Sequence, residues 1–289
     1  MGVMLVAGGA GFVGSAVARK AQEAGFDVHL TWRKRVPELP MPAHQLDLTE
    51  IAAVSRLVES VAPDVVVNAA SGPYPTMDTT SRVAGWRDSV MTTVCLLEAC
   101  RGLPTRFVHI ASSHEVPPDP PTPPSRRGAI KLAALGAVRQ WATETGNPTV
   151  VVRPFSIYGP GQPEDRLVPT LLRCALEGIP FRTPPRTIRR DLVYIDDVAT
   201  GIVAAAAHPD APGGEFDLAT GRDISVAELI DVVEEVTGRK VEIAAGEFPV
   251  PYWDRPRWAG DPDPARRILG WSPTTDLPTG LEYTLAAMA

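Results

Sequence analysis

Short runs of almost purely apolar residues alternate with segments of helical spacing through the first half of the chain. The apolar runs are Val3–Val6, Val28–Leu30, Pro63–Val67, Arg106–Ala111 and Thr149–Val152. Because these runs lack the regular polar positions of a strand with one solvent-exposed face, we expect strands that are buried on both faces. Strands of this kind, separated by helices, form a parallel sheet that helices cover on both sides. The sequence therefore predicts an α/β fold built on a doubly wound parallel sheet.

The helical segments are marked by apolar residues that recur at intervals of three and four. In the first half, helices are predicted at Phe12–Ala24, after a capping Thr49, at Val90–Cys100 and at Ile130–Thr143. Beyond residue 153 proline and glycine interrupt the pattern. Helices are predicted there near Val168–Glu177, Asp196–Ala207 and Ser225–Thr237. This change of pattern predicts a second, smaller lobe at the C-terminal end.

Composition excludes several classes of partner and location. The chain of 289 residues has 28 lysines and arginines against 34 aspartates and glutamates, a net charge of −6. This balance argues against a nucleic acid or an anionic membrane as partner, because both require a basic face. No run approaches the ~18 apolar residues of a membrane-spanning helix, and the N-terminus carries no export signal. The three cysteines have neither disulfide nor zinc-site spacing, so we expect a cytoplasmic protein without a metal site.

A glycine-rich turn joins the first predicted strand to the first predicted helix. Gly8, Gly11 and Gly14 recur there at intervals of three residues. Glycine lets the turn close tightly and lets a phosphate approach the backbone, and the N-terminus of the following helix offers unpaired N–H groups to that phosphate. This context predicts a dinucleotide-binding site that includes Gly8, Gly11, Phe12 and Val13.

The end of the second predicted strand indicates which dinucleotide is bound. An NAD-selective site has a carboxylate there, about 20 residues after the glycines, to bind the ribose 2′-hydroxyl. This sequence has the cations Arg33, Lys34 and Arg35 instead, which suit the 2′-phosphate of NADP. A solvated basic turn is the alternative interpretation. We expect NADP(H), bound mainly by Arg33 and next by Lys34.

The change of pattern along the chain also divides it into two predicted domains. Residues 1–155 are expected to form the dinucleotide-binding domain, and residues 156–289 mostly a substrate-binding lobe. Residues 191–222 are expected to return to the first domain.

Seven short motifs, spread over nearly the whole chain, match one pattern. They are Gly8–Gly14, Leu46–Leu48, Pro63–Ala70, Ala111–Ser113, Arg153–Pro160, Arg190–Asp197 and Leu269–Pro273. This pattern resembles the extended short-chain dehydrogenases/reductases, the NAD-dependent epimerase/dehydratase family that modifies nucleotide sugars. The resemblance implies a Rossmann-type sheet, a smaller C-terminal α/β substrate lobe and a homodimer. It also implies further cofactor-binding residues, namely Asp47, Leu48, Ala69, Ala70, Lys131 and Pro154.

In the family that the chain resembles, a Tyr-x-x-x-Lys pair and a nearby Ser or Thr carry out the proton chemistry. Lys131 matches the lysine and Ser113 the hydroxyl residue, but Arg127 stands where the tyrosine is expected. Arginine cannot donate the proton, because its pKa above about 12 keeps it charged. Arg127 could stabilise an oxyanion, bind a phosphate or point to solvent.

Three other residues could take part in the missing proton transfer. His114 and Glu115 follow one buried strand, and Tyr74 follows another, at the carboxyl ends where open α/β sheets bind ligands. Histidine is a side chain that ordinarily titrates near neutral pH and can exchange protons there, and Glu115 could orient it or act as a base. Six prolines between Pro117 and Pro124 predict a stiff, extended segment, either a wall of this site or a rigid surface spacer.

Arginines in the second half of the chain favour a phosphate-bearing substrate, because guanidinium groups pair with phosphates in a bidentate manner. They are Arg153, Arg186, Arg189, Arg190, Arg255 and Arg257. The substrate contacts expected from the resemblance are Ser113, Ser156, Arg190 and Arg255.

The resemblance implies an NADPH-dependent reductase of a nucleotide-linked keto-sugar, similar to the reductases that act on dTDP-4-keto-6-deoxyhexoses. Two alternatives stay open. One is an epimerase or dehydratase that keeps its cofactor bound, and the other is a catalytically silent NADP-binding protein with a regulatory or scaffold role.

Overall fold

The computed structural model describes residues 2–72, 79–115, 125–246 and 257–288. The strands are β1 (Val3–Ala7), β2 (Asp27–Trp32), β3 (Ala43–Gln45), β4 (Val65–Asn68), β5 (Arg106–Ile110), β6 (Thr149–Pro154), β7 (Ser156–Tyr158), β8 (Arg189–Arg190), β9 (Leu192–Tyr194), β10 (Glu215–Leu218) and β11 (Ile224–Ser225). The α-helices are α1 (Phe12–Glu23), α2 (Ile51–Val61), α3 (Thr79–Trp86), α4 (Thr92–Ala99), α5 (Arg126–Thr145), α6 (Leu167–Glu177), α7 (Ile195–Ala207), α8 (Val226–Thr237) and α9 (Leu277–Ala286). Short π-helical turns cover Arg87–Met91 and Ala265–Leu269, and a 3₁₀ turn covers Ser113–Glu115.

Seven of these strands form one sheet in the order β10-β6-β5-β4-β1-β2-β3, and every neighbouring pair is parallel. The predicted doubly wound parallel sheet is therefore confirmed. The strand order reverses at β1, which has β2 on one side and β4 on the other. At such a reversal the carboxyl ends of neighbouring strands leave a crevice in which a ligand can bind.

The central strands are buried on both faces, as their continuous apolar runs predict. Val6 and Val67 pack against α1 and α7 on one face of the sheet. Leu5 and Val66 pack against α2, α4 and α5 on the other. All four side chains are fully buried, and each stabilises the fold by about 1.5–3 kcal/mol relative to an exposed position.

Two features at the edge of the sheet differ from the sequence prediction. Nothing in the apolar pattern predicts β3, because this three-residue edge strand has exposed ends and contributes little to the core. The prediction that Thr49 caps α2 is wrong. Glu50 is the N-cap residue and makes no side-chain capping bond, while the Thr49 hydroxyl donates to Asp47 Oδ1 at 2.8 Å.

The C-terminal part of the chain adds two small sheets beside the carboxyl ends of the large one. Strand β7 pairs with β9 in parallel, and β8 pairs with β11 in an antiparallel manner. Between β8 and β9, Asp191 is fully buried and accepts hydrogen bonds from Thr220, Gly221 and Gly260. Helix α7 packs against α1, and strand β10 pairs with β6. The predicted domain boundaries at residues 155 and 156 and at 191–222 stay a prediction.

None of the helices in the described ranges is long and apolar enough to cross a membrane. In the same ranges, no group of three or more metal-binding side chains comes together. The three cysteines, Cys95, Cys100 and Cys174, are buried free thiols.

Candidate active site

The glycine-rich turn is closed so tightly that side chains would not fit in it. Gly8 has a φ of +80°, and a Cβ there would lie 2.8 Å from the Ala70 Cα. A Cβ on Gly14 would lie 2.2 Å from the Gly8 carbonyl oxygen. Helix α1 begins directly after this turn, its N-cap Gly11 offers no side-chain hydrogen bond, and its first turn has no acidic residue. The first N–H groups of the helix are thus left for an anion, which fits the pyrophosphate of a dinucleotide.

A cleft of about 430 Å³ extends from this turn along the carboxyl ends of β1 and β2. It brings together most of the predicted cofactor-binding residues, which are Gly8, Gly11, Phe12, Val13, Arg33, Lys34, Asp47, Leu48, Ala69 and Ala70. One residue that the sequence analysis missed fixes the turn. The Thr31 hydroxyl, fully buried at the end of β2, accepts a hydrogen bond from the Gly8 N–H at 3.0 Å.

Arg33 lies in this cleft between two carboxylates. Its guanidinium is 2.7 Å from Asp88 Oδ2 and 3.3 Å from Asp47 Oδ2. Although burial raises the pKa of the Asp88 carboxyl, hydrogen bonds from Arg33 and Arg87 hold it below its usual value. Asp88 was not predicted, because it lies 55 positions from Arg33 and reaches the cleft from the π-helical turn.

A second cavity of about 360 Å³ adjoins the cleft at the carboxyl ends of β5 and β6. The two share Val13, Ala69 and Ser71, so a molecule in one reaches the other. Among the predicted catalytic and substrate-binding residues, the cavity is lined by Ser113, His114, Arg127, Lys131, Ser156 and Arg190, and it is also lined by Pro154, which was predicted to bind the cofactor. The cavity therefore brings these predicted residues together beside the dinucleotide cleft.

Lys131 reaches the cavity wall from the first turns of α5. Its side chain is buried, and Nζ donates to the Ile110 carbonyl oxygen at 2.8 Å at the end of β5. Burial lowers the pKa of Lys131 most, and the Arg127 cation lowers it further, whereas the Glu115 carboxylate raises it. Together these effects bring the pKa of Lys131 to about 8. An amine with this pKa exchanges protons readily near neutral pH.

Glu115 lies behind the cavity wall and does not line the cavity. It is 5% exposed, and within the described part of the chain neither carboxylate oxygen makes a hydrogen bond of good geometry, although the Ser112 backbone N–H is near enough to favour the charged carboxylate. Burial raises the pKa of its carboxyl to about 7, against the opposing charges of Lys131 and Arg153. From this position Glu115 does not contact the contents of the cavity. Its charge acts instead on Lys131, which lines the cavity.

His114 belongs to a row of side chains on the opposite wall. Its Nδ1 is 3.1 Å from the hydroxyl of Ser125, the residue that also caps α5. The His114 ring lies 4.8 Å from the Trp258 ring, and the Arg190 guanidinium lies 5.2 Å from the centre of that ring. Trp258 was not singled out by the sequence analysis. The His114 and Trp258 rings are inclined at 54° to each other, so these three groups form an angled, partly aromatic wall that can pack against an apolar part of a substrate.

The arginines of the second half of the chain do not come together as one phosphate-binding set, because four of them, Arg153, Arg186, Arg189 and Arg257, line neither the cleft nor the substrate cavity. Arg189 and Arg257 both pair with Asp223, at 2.8 Å and 3.0 Å. Arg153 pairs with Asp217 at 2.7 Å and with Glu215 at 3.0 Å. These side chains line neither the cleft nor the substrate cavity, because local carboxylates engage their charges. Such pairings across 30 or more positions cannot be inferred from the sequence alone.

Three predictions lie outside the described residues. They concern Tyr74 as a proton donor, Arg255 as a substrate contact, and the proline segment Pro117–Pro124.

Comparison with known proteins identifies the family. Residues 4–219 match the NAD dependent epimerase/dehydratase family. The chain belongs to this family. The family predicted from the seven motifs is therefore confirmed, and with it a Rossmann-type fold; NAD(P) is the cofactor typical of this family.

Several members of the family are similar to the chain over almost its whole length. A dTDP-6-deoxy-L-talose 4-dehydrogenase (NAD(P)(+)) of Kitasatospora kifunensis is 30% identical, with 94% of this chain and 91% of that protein aligned. A UDP-glucose 4-epimerase of Corynebacterium glutamicum is 28% identical, over 96% and 93% of the two chains. Among solved structures, UDP-glucuronic acid 4-epimerase from Bacillus cereus, in complex with UDP-glucuronic acid and NAD, superposes with a TM-score of 0.89. It is 26% identical over 100% of this chain and 99% of that one.

Proposed function

We propose that this member of the family is an NADPH-dependent reductase of a nucleotide-linked keto-sugar, of the dTDP-4-keto-6-deoxyhexose type. The observation that carries the proposal is that a dinucleotide cleft with cations at the end of β2 opens into a cavity lined by Lys131 and Ser113. The similarity to a dTDP-6-deoxy-L-talose 4-dehydrogenase, whose name gives both NAD and NADP, supports this class of substrate.

Each part of the site has a role in this proposal. The glycine turn would hold the pyrophosphate, Asp47 and Leu48 the adenine end, and Ala69, Ala70 and Pro154 the nicotinamide end. When bound, the cofactor supplies a hydride to the substrate carbonyl carbon. The Ser113 hydroxyl would donate a hydrogen bond to the carbonyl oxygen and hold it in place as negative charge develops there. Ser156, Arg190 and Arg255 would contact the rest of the substrate.

A retained-cofactor epimerase or dehydratase is the second candidate. The similarity to a UDP-glucose 4-epimerase favours it, and so does the buried Glu115 beside Lys131. The cations Arg33, Lys34 and Arg35 in the cleft favour the reductase, since an enzyme that retains NAD needs no site for a 2′-phosphate.

The decisive experiment follows the hydride. The purified protein is incubated with NADPH deuterated at C4 and a panel of nucleotide-linked keto-sugars, and the products are analysed by mass spectrometry. Deuterium in the sugar together with consumption of NADPH supports the reductase. Cofactor that copurifies with the protein and is never consumed points to the epimerase or dehydratase, and NADPH binding without any product points to a silent binding protein.

Arg33→Ala is expected to lower the affinity for NADPH by about tenfold while leaving the affinity for NADH nearly unchanged, because a charged hydrogen bond to the 2′-phosphate is lost. Titration of both cofactors by fluorescence measures this effect. Arg56→Ala is the control, because Arg56 is an exposed cation on α2 that does not line the cleft. Equal losses for NADPH and NADH would contradict a role of Arg33 at the 2′-phosphate.

Asp88→Asn is expected to change the affinity for NADPH in the direction opposite to Arg33→Ala. Asp88 lies 2.7 Å from Arg33 and competes with a 2′-phosphate for that guanidinium. Removing its charge is expected to strengthen NADPH binding relative to NADH, in the same titration. A preference that shifts toward NADH would show that Asp88 aids NADPH binding by holding Arg33 in place.

The quaternary structure and the location of the protein stay predictions. Large apolar side chains are exposed on helices that flank the sheet, namely Val83, Trp86, Met91 and Leu132. They support a homodimer that packs through these helices. A cytoplasmic location rests on the sequence interpretation alone.

A further inference from the structure

The position that holds the family's tyrosine is occupied by a residue that cannot give up a proton. Arg127 lines the substrate cavity and stays charged at any working pH. The reduction of a carbonyl nevertheless requires a proton for the oxygen. Some other group at this cavity must therefore supply it.

Lys131 is an ionisable side chain that already lies in the cavity wall. Within the described chain, its ammonium makes one hydrogen bond, to the Ile110 carbonyl oxygen, and the residue lines the cavity. The hydrogen bond fixes where the ammonium lies, because Ile110 is the last residue of the central strand β5. A donor held in this way needs little reorganisation when a substrate is bound.

The charges around Lys131 act on it in opposite directions. Arg127, one turn earlier on α5, disfavours the charged ammonium, and Glu115, from the 3₁₀ turn after β5, favours it. His109 on β5 is fully buried, and burial together with the Lys131 charge lowers its pKa to about 3, so it stays neutral. Behind Glu115 lie Arg153 and Glu215, whose charges act on the Glu115 carboxyl.

Glu115 has no other evident task within the described chain. A buried carboxylate without hydrogen bonds is costly, and a nearby cation is what compensates for that cost. Both Glu115 oxygens are buried without a hydrogen bond of good geometry, the Ser112 backbone N–H gives them weak support, and Lys131 is the cation of greatest effect on them. The carboxylate and the ammonium therefore interact through their charges across the cavity wall.

We propose that the Lys131 ammonium is the proton donor to the substrate carbonyl oxygen, and that the charges of Glu115 and Arg127, which act on it in opposite directions, keep it able to give up a proton. This assignment rests on the proposed reductase function, and it makes Lys131 the donor in place of His114 or Tyr74. The carbonyl carbon gains a hydride from bound NADPH, the π pair of the C=O bond moves to the oxygen, and that oxygen takes one Lys131 proton. Lys131 is left as a neutral amine, which regains its proton from solvent.

The first test measures Lys131 itself, without substrate or turnover. A small amine-reactive reagent such as acetic anhydride is applied over a range of pH, and the labelling of Lys131 is followed by mass spectrometry. The midpoint of labelling is expected near pH 8 in the parent protein. The exposed Lys240, which pairs with Glu234 outside the cavity, is the internal control and must label with an ordinary lysine midpoint or a higher one.

The two neighbours are then changed one at a time. Glu115→Gln removes the anion and is expected to lower the Lys131 midpoint by about one pH unit, whereas Arg127→Gln removes the cation and is expected to raise it by about one unit. A parent midpoint above pH 10, or a midpoint that neither substitution moves, would overturn the proposal. Circular dichroism checks that each variant is folded.

The second test applies the same variants to turnover. The rate of keto-sugar reduction is expected to fall above the Lys131 midpoint, because the donor must be protonated, and the fall must move with that midpoint in both variants. Lys131→Arg keeps the charge but cannot donate, and we expect kcat to drop by about 10²-fold or more. A pH profile that follows His114→Gln instead would assign the donor to His114.

The two proposals can fail separately. If no keto-sugar is reduced but the labelling midpoints behave as expected, the reductase function fails and the tuned lysine stands. If reduction occurs while Lys131 titrates like an exposed lysine, the function stands and the assignment of the donor is wrong.

Discussion

Replacing Gly14 by alanine is expected to weaken NADPH binding by about tenfold to a hundredfold, since overpacking of a tight site costs about 1–3 kcal/mol. The added Cβ would lie 2.2 Å from the Gly8 oxygen and 2.9 Å from the Gly8 carbonyl carbon. Both are backbone atoms, so no side-chain rotation can relieve the contact. The turn must open, and its N–H groups then move away from the pyrophosphate. Isothermal titration calorimetry measures the loss.

The matched control is Gly136→Ala. Gly136 is exposed in the middle of α5, and a Cβ there would meet no atom within 4 Å. This substitution is expected to leave NADPH affinity unchanged and to stabilise the protein by up to about 1 kcal/mol, the difference in helix propensity. A folded Gly14→Ala protein that binds NADPH with the parental affinity would contradict the assignment of the turn to the pyrophosphate.

Replacing Asp191 by alanine is expected to lower the free energy of unfolding by about 3–5 kcal/mol, because four partly buried hydrogen bonds lose their buried acceptor together. The carboxylate accepts from the Thr220 N–H at 2.9 Å, the Thr220 hydroxyl at 2.7 Å, the Gly221 N–H at 3.0 Å and the Gly260 N–H at 3.2 Å. Asp191 is fully buried, so water cannot take over these bonds without entering the core. Calorimetry should record a melting temperature about 10 °C lower.

Two further variants make the interpretation specific. Asp191→Asn retains one acceptor oxygen and is expected to lose less stability than the alanine variant. Asp210→Ala removes a carboxylate at an exposed position after α7 and should change stability by less than about 0.5 kcal/mol. If Asp191→Ala melts at the parental temperature, the loops that it joins are held by other contacts.

The sheet could be predicted because its signal is strong and local. A strand buried on both faces needs a run of apolar residues, and such a run, as in β4, can be recognised without knowing its neighbours. The edge strand β3 has no such requirement and was missed. The glycine turn was recognisable for the same local reason, since its residues are adjacent and each meets a steric demand.

The charges of the site could not be predicted in the same way. The sequence correctly places Arg33 in the cleft, but the carboxylate of Asp88 that binds it comes from a distant turn. Likewise the sequence suggests that Arg189 and Arg257 bind phosphate, but in the folded chain both pair with Asp223. Glu115 is an acidic residue in a loop by its sequence, and only the packing of the chain buries it. Electrostatic partners depend on three-dimensional proximity, which residue spacing along the chain does not encode.

The path of the chain after β9 has a consequence for protein engineering. Helix α7 lies against α1, where Arg19 and Lys20 both pair with Asp196, and β10 forms the edge of the large sheet beside β6. A cut after β6 would therefore strip one edge strand and one covering helix from the nucleotide-binding part. A hybrid enzyme that borrows its substrate specificity from a relative has to be spliced at several junctions, with the segment from α7 to β10 kept from the parent.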